Sequence, residues 1–513
     1  MRLTCIMALT AEEALGGATA FVVKVGGDIA GRFEETREYP RLMRERTGQN
    51  VPVGFVVSAV RSSAAEHAIH ALVEGEKGFN TTSHLNATAD ALRSGDGDRA
   101  VACFSAVQKF TRDLIIERVE GIIRKSQLLA KMDMMVRPMR LAIYEAAKVR
   151  HVGREARFLR AGEDRLFALG TGGLASVTAF GENLAEQLMA VNVRGQKLGS
   201  EGASNAYLDA DLQNFDPSRA VQSSKDELAA FLQTLSRKVW VIGGARPSRM
   251  DSRGYSDVAA VDAMNAWRGF PDRVLAVAKN GPILSVDHAL LPDKGRLVRG
   301  LQLNASTELF GTHGLDAGAL HPDAVKALKH PCVIFNPGAT EKGMTLVSDD
   351  CEVREGVLVV GLKPIPALVR VSSPDMADRH GVFGRVMEAL REATLSHTYT
   401  SEGRIIVTVN NKLDVGTLDD LEGRLQADLD PSYRVRVSDN VYTMVFALGN
   451  ALSGARETGL ACTALANAEV KVYFQDLVME AGVMKFVVKS EDAKKTVAVL
   501  HEVLVENAAT LGS

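Results

Sequence analysis

Phe21-Val22-Val23-Lys24-Val25-Gly26-Gly27 is an apolar run that passes through one lysine and ends in two glycines. The run reads as a buried strand. Beyond it no side-chain bulk blocks the backbone, so successive N–H groups can converge on a phosphate, with Lys24 adding a mobile positive charge. No Gly-Lys-Ser/Thr follows, so the stretch is not a Walker A loop. A tight turn accounts for the same residues equally well, and the choice rests on what surrounds them.

Working outward, Val51–Ser58 reads as a second buried strand that ends in the small polar Ser58. Residues 86–165 are rich in Ala, Leu, Lys, Arg and Glu and contain no strand-like run, which predicts helix throughout. Val239–Gly244, Arg273–Ala278 and Cys332–Phe335 are further apolar strands. Strands that alternate with helices imply a mostly parallel sheet sandwiched by helices. In such sheets ligands gather at the carboxyl ends of the strands, where Lys24, Ser58 and Gly243 would lie.

After Asp350 the texture changes. Leu368–Val371, a helix from His380 to Ala393, the hairpin Leu395–Thr400 and Ile405–Val409, a helix over 417–428 and Tyr433–Val437 give a β-α-β-β-α-β order. Thr443–Leu448, a helix over 453–467, Val470–Phe474, Met484–Lys489 and a helix over 491–505 begin the order again. This is an internal repeat of ~70 residues whose copies are ferredoxin-like. The second copy lacks a last strand, because only Ala508–Ser513 remain. The expected division is 1–350 for the first domain, 360–438 for one small domain and 439–513 for the other. Such pairs either bind small effectors across joined sheets or serve only as dimer contacts.

At 513 residues the chain is too long for one core. Hydrophobic residues at 46% and charged residues at 24% are ordinary for a globular protein. A formal net charge of −3 and 5% aromatics give no case for nucleic acid or an anionic membrane as a partner. Cys5, Cys103, Cys332, Cys351 and Cys462 are scattered, with no CxxC pair, which suits a reducing compartment. Glu12 and Glu13 interrupt the apolar N-terminal stretch, and no run approaches a membrane span, so a soluble cytoplasmic protein is expected.

Polar clusters punctuate the first domain. Thr81-Thr-Ser-His-Leu85 follows the second strand and can begin a helix, and Gly181-Glu182 opens a helix over 183–192. Arg253-Gly-Tyr-Ser-Asp257 opens another, whose Ala259, Ala260 and Ala263 allow close packing. An arginine, a hydroxyl and an acid at one helix mouth suit a small molecule that bears a carboxylate. Taken singly, Thr82 and Ser256 also read as helix caps.

Lys24-Val-Gly-Gly27, Val56-Val-Ser58-Ala, Arg61-Ser-Ser63 with Thr81-Thr-Ser83, Gly181-Glu182, Arg253-Gly-Tyr-Ser-Asp257 and His321-Pro322 occur in the order found in aspartate kinases, which the chain resembles from about 21 to 505. The repeat resembles that family's paired ACT regulatory domains. The insertion and the sequence after Arg253 look most like the specialised aspartate kinases of ectoine biosynthesis. The resemblance implies an amino-acid-kinase fold followed by two ACT domains, and ATP-dependent phosphorylation of the β-carboxylate of L-aspartate. Lys24 and the amides of Gly26 and Gly27 would hold the transferring phosphate, Ser58 would line that pocket, and Asp257 would orient Lys24 or its neighbours. Thr82, Glu182, Arg253 and Ser256 would form the amino-acid pocket, with Glu182 on the ammonium and Arg253 on the α-carboxylate. Gly281 and Asp287 would belong to the nucleotide loop, and Mg²⁺ would be held mainly by the nucleotide phosphates. A homodimer or larger homo-oligomer through the ACT pair is implied.

The chain also departs from that pattern. Asp28-Ile29 replaces the family's Thr-Ser, and a carboxylate facing phosphates repels them unless it points away or Mg²⁺ intervenes. The nucleotide stretch reads Lys279-Asn-Gly-Pro282 and Val286-Asp-His-Ala289, with the usual arginine gone. Two other readings follow: a phosphotransferase for a different amino acid or carboxylate, and an amino-acid-binding regulatory subunit that has lost nucleotide binding.

Overall fold

The computed structural model describes residues 9–27, 51–62, 72–73, 78–94, 96–119, 121–151, 201–202, 239–243, 255–267, 269–279, 281–307, 309–310, 320–336, 343–351, 356–373, 382–390, 395–401, 404–409, 421–423, 425–427, 429, 431–450, 455–478 and 482–507. The chain forms two compact units. One comprises Met1–Ile283, Arg299–Leu303 and Ala319–Glu352; the other comprises Leu284–Val298, Asn304–Gly318 and Val353–Ser513.

Unit 1 is built from α1 (Ala11–Gly17), β1 (Ala20–Val25), β2 (Val53–Val57), β3 (Arg61–Ser62), β4 (Phe79–Asn80), α2 (Thr81–Ser94), α3 (Gly97–Arg118), α4 (Ile122–His151), β5 (Glu201–Gly202), β6 (Val239–Gly243), α5 (Tyr255–Ala266), β7 (Arg273–Ala278), β8 (Gly300–Leu301), α6 (Pro322–Ala327), β9 (Cys332–Phe335) and β10 (Met344–Val347). The main sheet runs β5-β6-β2-β1-β7-β9-β10-β8. Its pairs are parallel except β9 with β10. The five strands read from continuous apolar runs are all present. Two-residue β5 and β8 and the Met344–Val347 strand are additions, too short or too ordinary in composition to stand out. The predicted helical stretch is three helices as far as His151, and 152–165 lie outside the described residues.

Every residue of β1 is buried, and Lys24 sits in register between Val56 of β2 and Val277 of β7. Helix α5 covers the sheet through Ala259, Ala260 and Ala263, all fully buried, because small side chains let helix and strands approach closely. Arg273 at the start of β7 donates to the carbonyls of Met264 and Trp267, each at 2.7 Å, and so satisfies the C-terminal end of α5. The helix N-terminus is thereby held at the carboxyl edge of the sheet.

Unit 2 contains β11 (Gly356–Ser372), α7 (Val382–Ala389), β12 (Leu395–Ser401), β13 (Arg404–Val409), β14 (Arg434–Asn450), α8 (Ala455–Asn467), β15 (Phe474–Val478), β16 (Val483–Lys489) and α9 (Ala493–His501). They share one antiparallel sheet ordered β12-β13-β11-β14-β16-β15. The long strands β11 and β14 each serve both copies. Ala367–Ser372 pairs with β13 and with Asp439–Arg434, whereas Gly356–Ile365 pairs with Tyr442–Asn450. The second copy therefore has its fourth strand after all, and takes it from ahead of the first copy. The two copies join at Pro364-Ile365-Pro366, where the β11–β14 register shifts between Ile365 and Ala367. A proline cannot donate to a ladder, which marks this as a boundary. The Val470–Phe474 strand is also corrected to Phe474–Val478. Glu469 adopts φ +53° and the Val470 amide turns back to the Leu465 carbonyl at 2.9 Å, so Val470 finishes α8 instead of starting a strand.

Residues 284–298 cover the outer edge of β11, with the Val360 amide donating to Ser285 O at 2.8 Å. Ser285 Oγ accepts the Arg296 amide at 2.9 Å, so its hydroxyl donates to His501 Nε2 at 2.9 Å. His501 Nδ1 then donates to Glu506 at 3.2 Å, and Lys294 pairs with the same carboxylate at 3.2 Å. Burial pushes the His501 pKa below its usual 6.5; Glu506 opposes this, and Lys294 and Arg296 reinforce it. Protonation would make the Ser285 hydroxyl turn its proton away and accept from Nε2. A depressed folded pKa gives stability that is complete above the unfolded value and lost as pH falls through the folded one. The urea midpoint is thus expected to drop from about pH 7 to about pH 5, and more shallowly in His501→Gln. An equal drop in both proteins would remove His501 from the account.

Candidate functional site

The site is assembled at the carboxyl edge of the unit 1 sheet. Lys24 Nζ lies 2.7 Å from Asp257 Oδ1, with both side chains almost fully buried. Asp257 stands in the first turn of α5, where the helix dipole favours an anion, and its Oδ2 accepts the His321 amide at 2.9 Å. Burial alone would raise the Asp257 carboxyl. The charges of Lys24 and Lys279, with hydrogen bonds from Lys24 and His321, outweigh it and hold the group below its ordinary value. The expected pairing of Lys24 with Asp257 is therefore present as geometry, across more than two hundred residues of sequence.

One residue before Asp257, Ser256 is buried and its Oγ lies 2.7 Å from Ser58 Oγ at the end of β2. This bond ties the mouth of α5 to the strand beside β1. Ser256 and Ser58, expected on opposite substrates, are direct neighbours.

The glycines behave differently from one another. The Gly26 amide continues the β1–β7 ladder, donating to Ala278 O at 3.3 Å. A phosphate cradle made of both amides is therefore not what the structure displays. Gly27 is the last described residue of this turn. A Cβ at Gly27 would stand 2.5 Å from Ala59 O and 3.3 Å from Arg61 Cβ, so only glycine fits where this turn crosses the chain leaving β2.

Arg61 and Ser62 pair with Asn80 and Phe79, which fastens the start of α2 beside the same crossing. The α2 cap is Asn80, whose Oδ1 accepts the Ser83 amide at 3.3 Å, and not Thr82. Thr82 is partly exposed on the first turn. His84, in the same cluster, is structural. Its Nε2 accepts the Leu72 amide at 2.9 Å, so Nδ1 donates to Asn80 O, and its ring stacks on Phe79.

Gly281 lies in unit 1 just past β7, but Asp287 belongs to unit 2, where its carboxylate accepts the Ala289 amide at 2.8 Å and forms a local turn. Glu182 with its helix over 183–192, Arg253 and Asp28 lie outside the described residues. Reading the sequence for function left out His321 as a partner of Asp257. The signal was the His-Pro pair: His321 caps α6, with Pro322 at its first position. Among the described residues no group of three or more His, Cys, Asp or Glu side chains could hold a metal ion, and no helix is long and apolar enough to cross a membrane.

No protein-family model matches the chain, and no curated protein matches it. Solved structures do. E. coli aspartokinase III, in complex with aspartate and ADP (R-state), superposes with a TM-score of 0.66 at 17% identity, over 94% of this chain and 99% of that one. The same enzyme with lysine and aspartate (T-state) gives 0.64 at 17% identity, covering 95% and 100%. Clostridium acetobutylicum aspartate kinase gives 0.62 at 13% identity, covering 94% and 100%. At these identities the likeness establishes a shared fold: an α/β amino-acid-kinase-like unit and paired ACT-like copies.

Proposed function

We propose that this chain is an aspartate kinase, transferring the γ-phosphoryl group of ATP to the β-carboxylate of L-aspartate to give 4-phospho-L-aspartate. The observation that carries the reading is the buried Lys24–Asp257 pair at 2.7 Å, set beside a glycine turn whose Gly27 tolerates no side chain. Its place in a fold shared with aspartokinases supports it. ATP would supply the phosphoryl group, with Mg²⁺ carried on its phosphates. Asp257, kept ionised, holds the Lys24 ammonium in one position, so positive charge stands ready at the turn without reorganisation. Arg253 would grip the α-carboxylate and Glu182 the ammonium, with Thr82 alongside, leaving the β-carboxylate as the nucleophile. The product would enter aspartate-derived amino-acid or ectoine synthesis. We place homo-oligomer contacts and any effector site in the paired copies.

A coupled ADP-release assay over a panel of amino acids tests this, with L-aspartate expected to be turned over well ahead of glutamate, asparagine and homoserine. Turnover of another carboxylate in preference would replace the acceptor. Asp28 and the missing arginine favour the regulatory-subunit reading, which predicts amino-acid binding with no ADP release at saturating ATP. Within the kinase reading, Arg253→Ala is expected to raise the aspartate KM by a factor equivalent to about 2–4 kcal/mol while the ATP KM changes little. Equal effects on both constants would take Arg253 out of the amino-acid pocket.

A further inference from the structure

Lys279 follows β7 directly, at the carboxyl edge next to β1. Its amide donates to Phe335 O of β9 at 3.0 Å, so the backbone here is anchored between neighbouring strands. Its side chain runs to the glycine turn, with Cδ 3.9 Å from the place a Gly26 Cβ would take. Two lysines from adjacent strands therefore stand at the same edge of the sheet, Lys24 paired with Asp257 and Lys279 alongside the Gly26 turn. They are not equivalent: Lys24 is buried in contact with Asp257, and Lys279 is partly exposed.

We propose that Lys279 is a second phosphate-binding cation of this site, its ammonium taking the phosphate oxygens of a nucleoside triphosphate that approaches the Gly26–Gly27 turn. The inference rests on the phosphoryl-transfer reading above and adds a residue to it. A triphosphate brings several negative charges, and a lysine already balanced by a buried aspartate leaves them underneutralised. That Asp257 feels the Lys279 charge second only to Lys24 among its cationic neighbours agrees with this placement. The position also accounts for the arginine missing after the nucleotide stretch: the positive charge enters from the strand end instead.

Calorimetric titration of the full chain with MgATP and, separately, with adenosine tests the proposal. Lys279→Ala is expected to weaken MgATP binding by about tenfold or more, to leave adenosine binding within about twofold, and Lys279→Arg to stay within about threefold of wild type. Should the alanine variant fail to fold by circular dichroism, Lys279→Gln makes the same comparison while keeping most of the stem. Equal MgATP affinity in wild type and the neutral variant overturns the role of Lys279 and leaves the kinase reading standing. A wild type that binds MgATP with the expected loss on substitution, but releases no ADP with aspartate, overturns the kinase reading alone. A wild type that does not bind MgATP overturns both.

Discussion

Lys24→Met is expected to lower kcat by about 10²–10³-fold and, in the same protein, to destabilise the fold by about 3–5 kcal/mol. The two effects have different origins, which a second substitution separates. Removing the ammonium strands Asp257 as a buried, ionised carboxylate with the His321 amide as its remaining polar contact. Asp257→Leu alone strands Lys24 in the same way, inside a strand whose other residues are apolar. The pair itself gives little net stability, because desolvating both charges offsets their attraction. Lys24→Met/Asp257→Leu is therefore expected to recover most of either single loss, ending about 1–3 kcal/mol below wild type because the His321 amide loses its acceptor, while remaining inactive. Urea unfolding read beside the ADP-release assay checks this. Additive losses in the double variant would mean the two side chains are not coupled. Activity persisting in Lys24→Met would take the lysine out of phosphoryl transfer.

The second large effect is steric. Gly27→Ala is expected to cost about 1–3 kcal/mol and most of the activity, because its methyl group meets the Ala59 carbonyl at 2.5 Å and neither backbone can swing aside as a side chain would. Gly26→Ala meets Ala278 O only at 3.4 Å, and Gly281→Ala meets nothing within 4 Å. The three variants should therefore rank Gly27 far above Gly26, and Gly26 above Gly281, in lost melting temperature. A Gly281→Ala variant as damaged as Gly27→Ala would show that the turn is not the sterically critical point.

The central strands were legible because parallel strands buried on both faces read as near-continuous apolar runs, unbroken in Val274–Ala278 and interrupted only by Lys24 in Phe21–Val25. The Lys24–Asp257 pairing was reached only through a family resemblance. Nothing local in either segment specifies a partner so far along the chain. The small polar residues were placed correctly at strand ends and helix mouths, yet which atoms they meet depends on register. Thr82 and Asn80 both look like caps, and geometry selects Asn80. Asp287 kept the family's residue type but lies in the other unit, a division that no composition change at Ile283 announces. The strand ahead of the first ACT-like copy was not read from the sequence, because its partner Tyr442–Asn450 lies beyond that whole copy.

That nested strand has a consequence for synthesis. Gly356–Ile365 leaves the ribosome before the first copy, and its partner Tyr442–Asn450 follows about 80 residues later. At about 5–20 residues per second, an apolar β-prone segment waits some seconds with one ladder unmade while the first copy folds beside it. Stalling or truncating translation anywhere in the second copy would leave that segment as a sticky orphan. C-terminal nonsense variants should therefore partition into inclusion bodies, whereas a chain from which the whole first copy has been excised, with Ile365 rejoined near Tyr442, should stay dispersed.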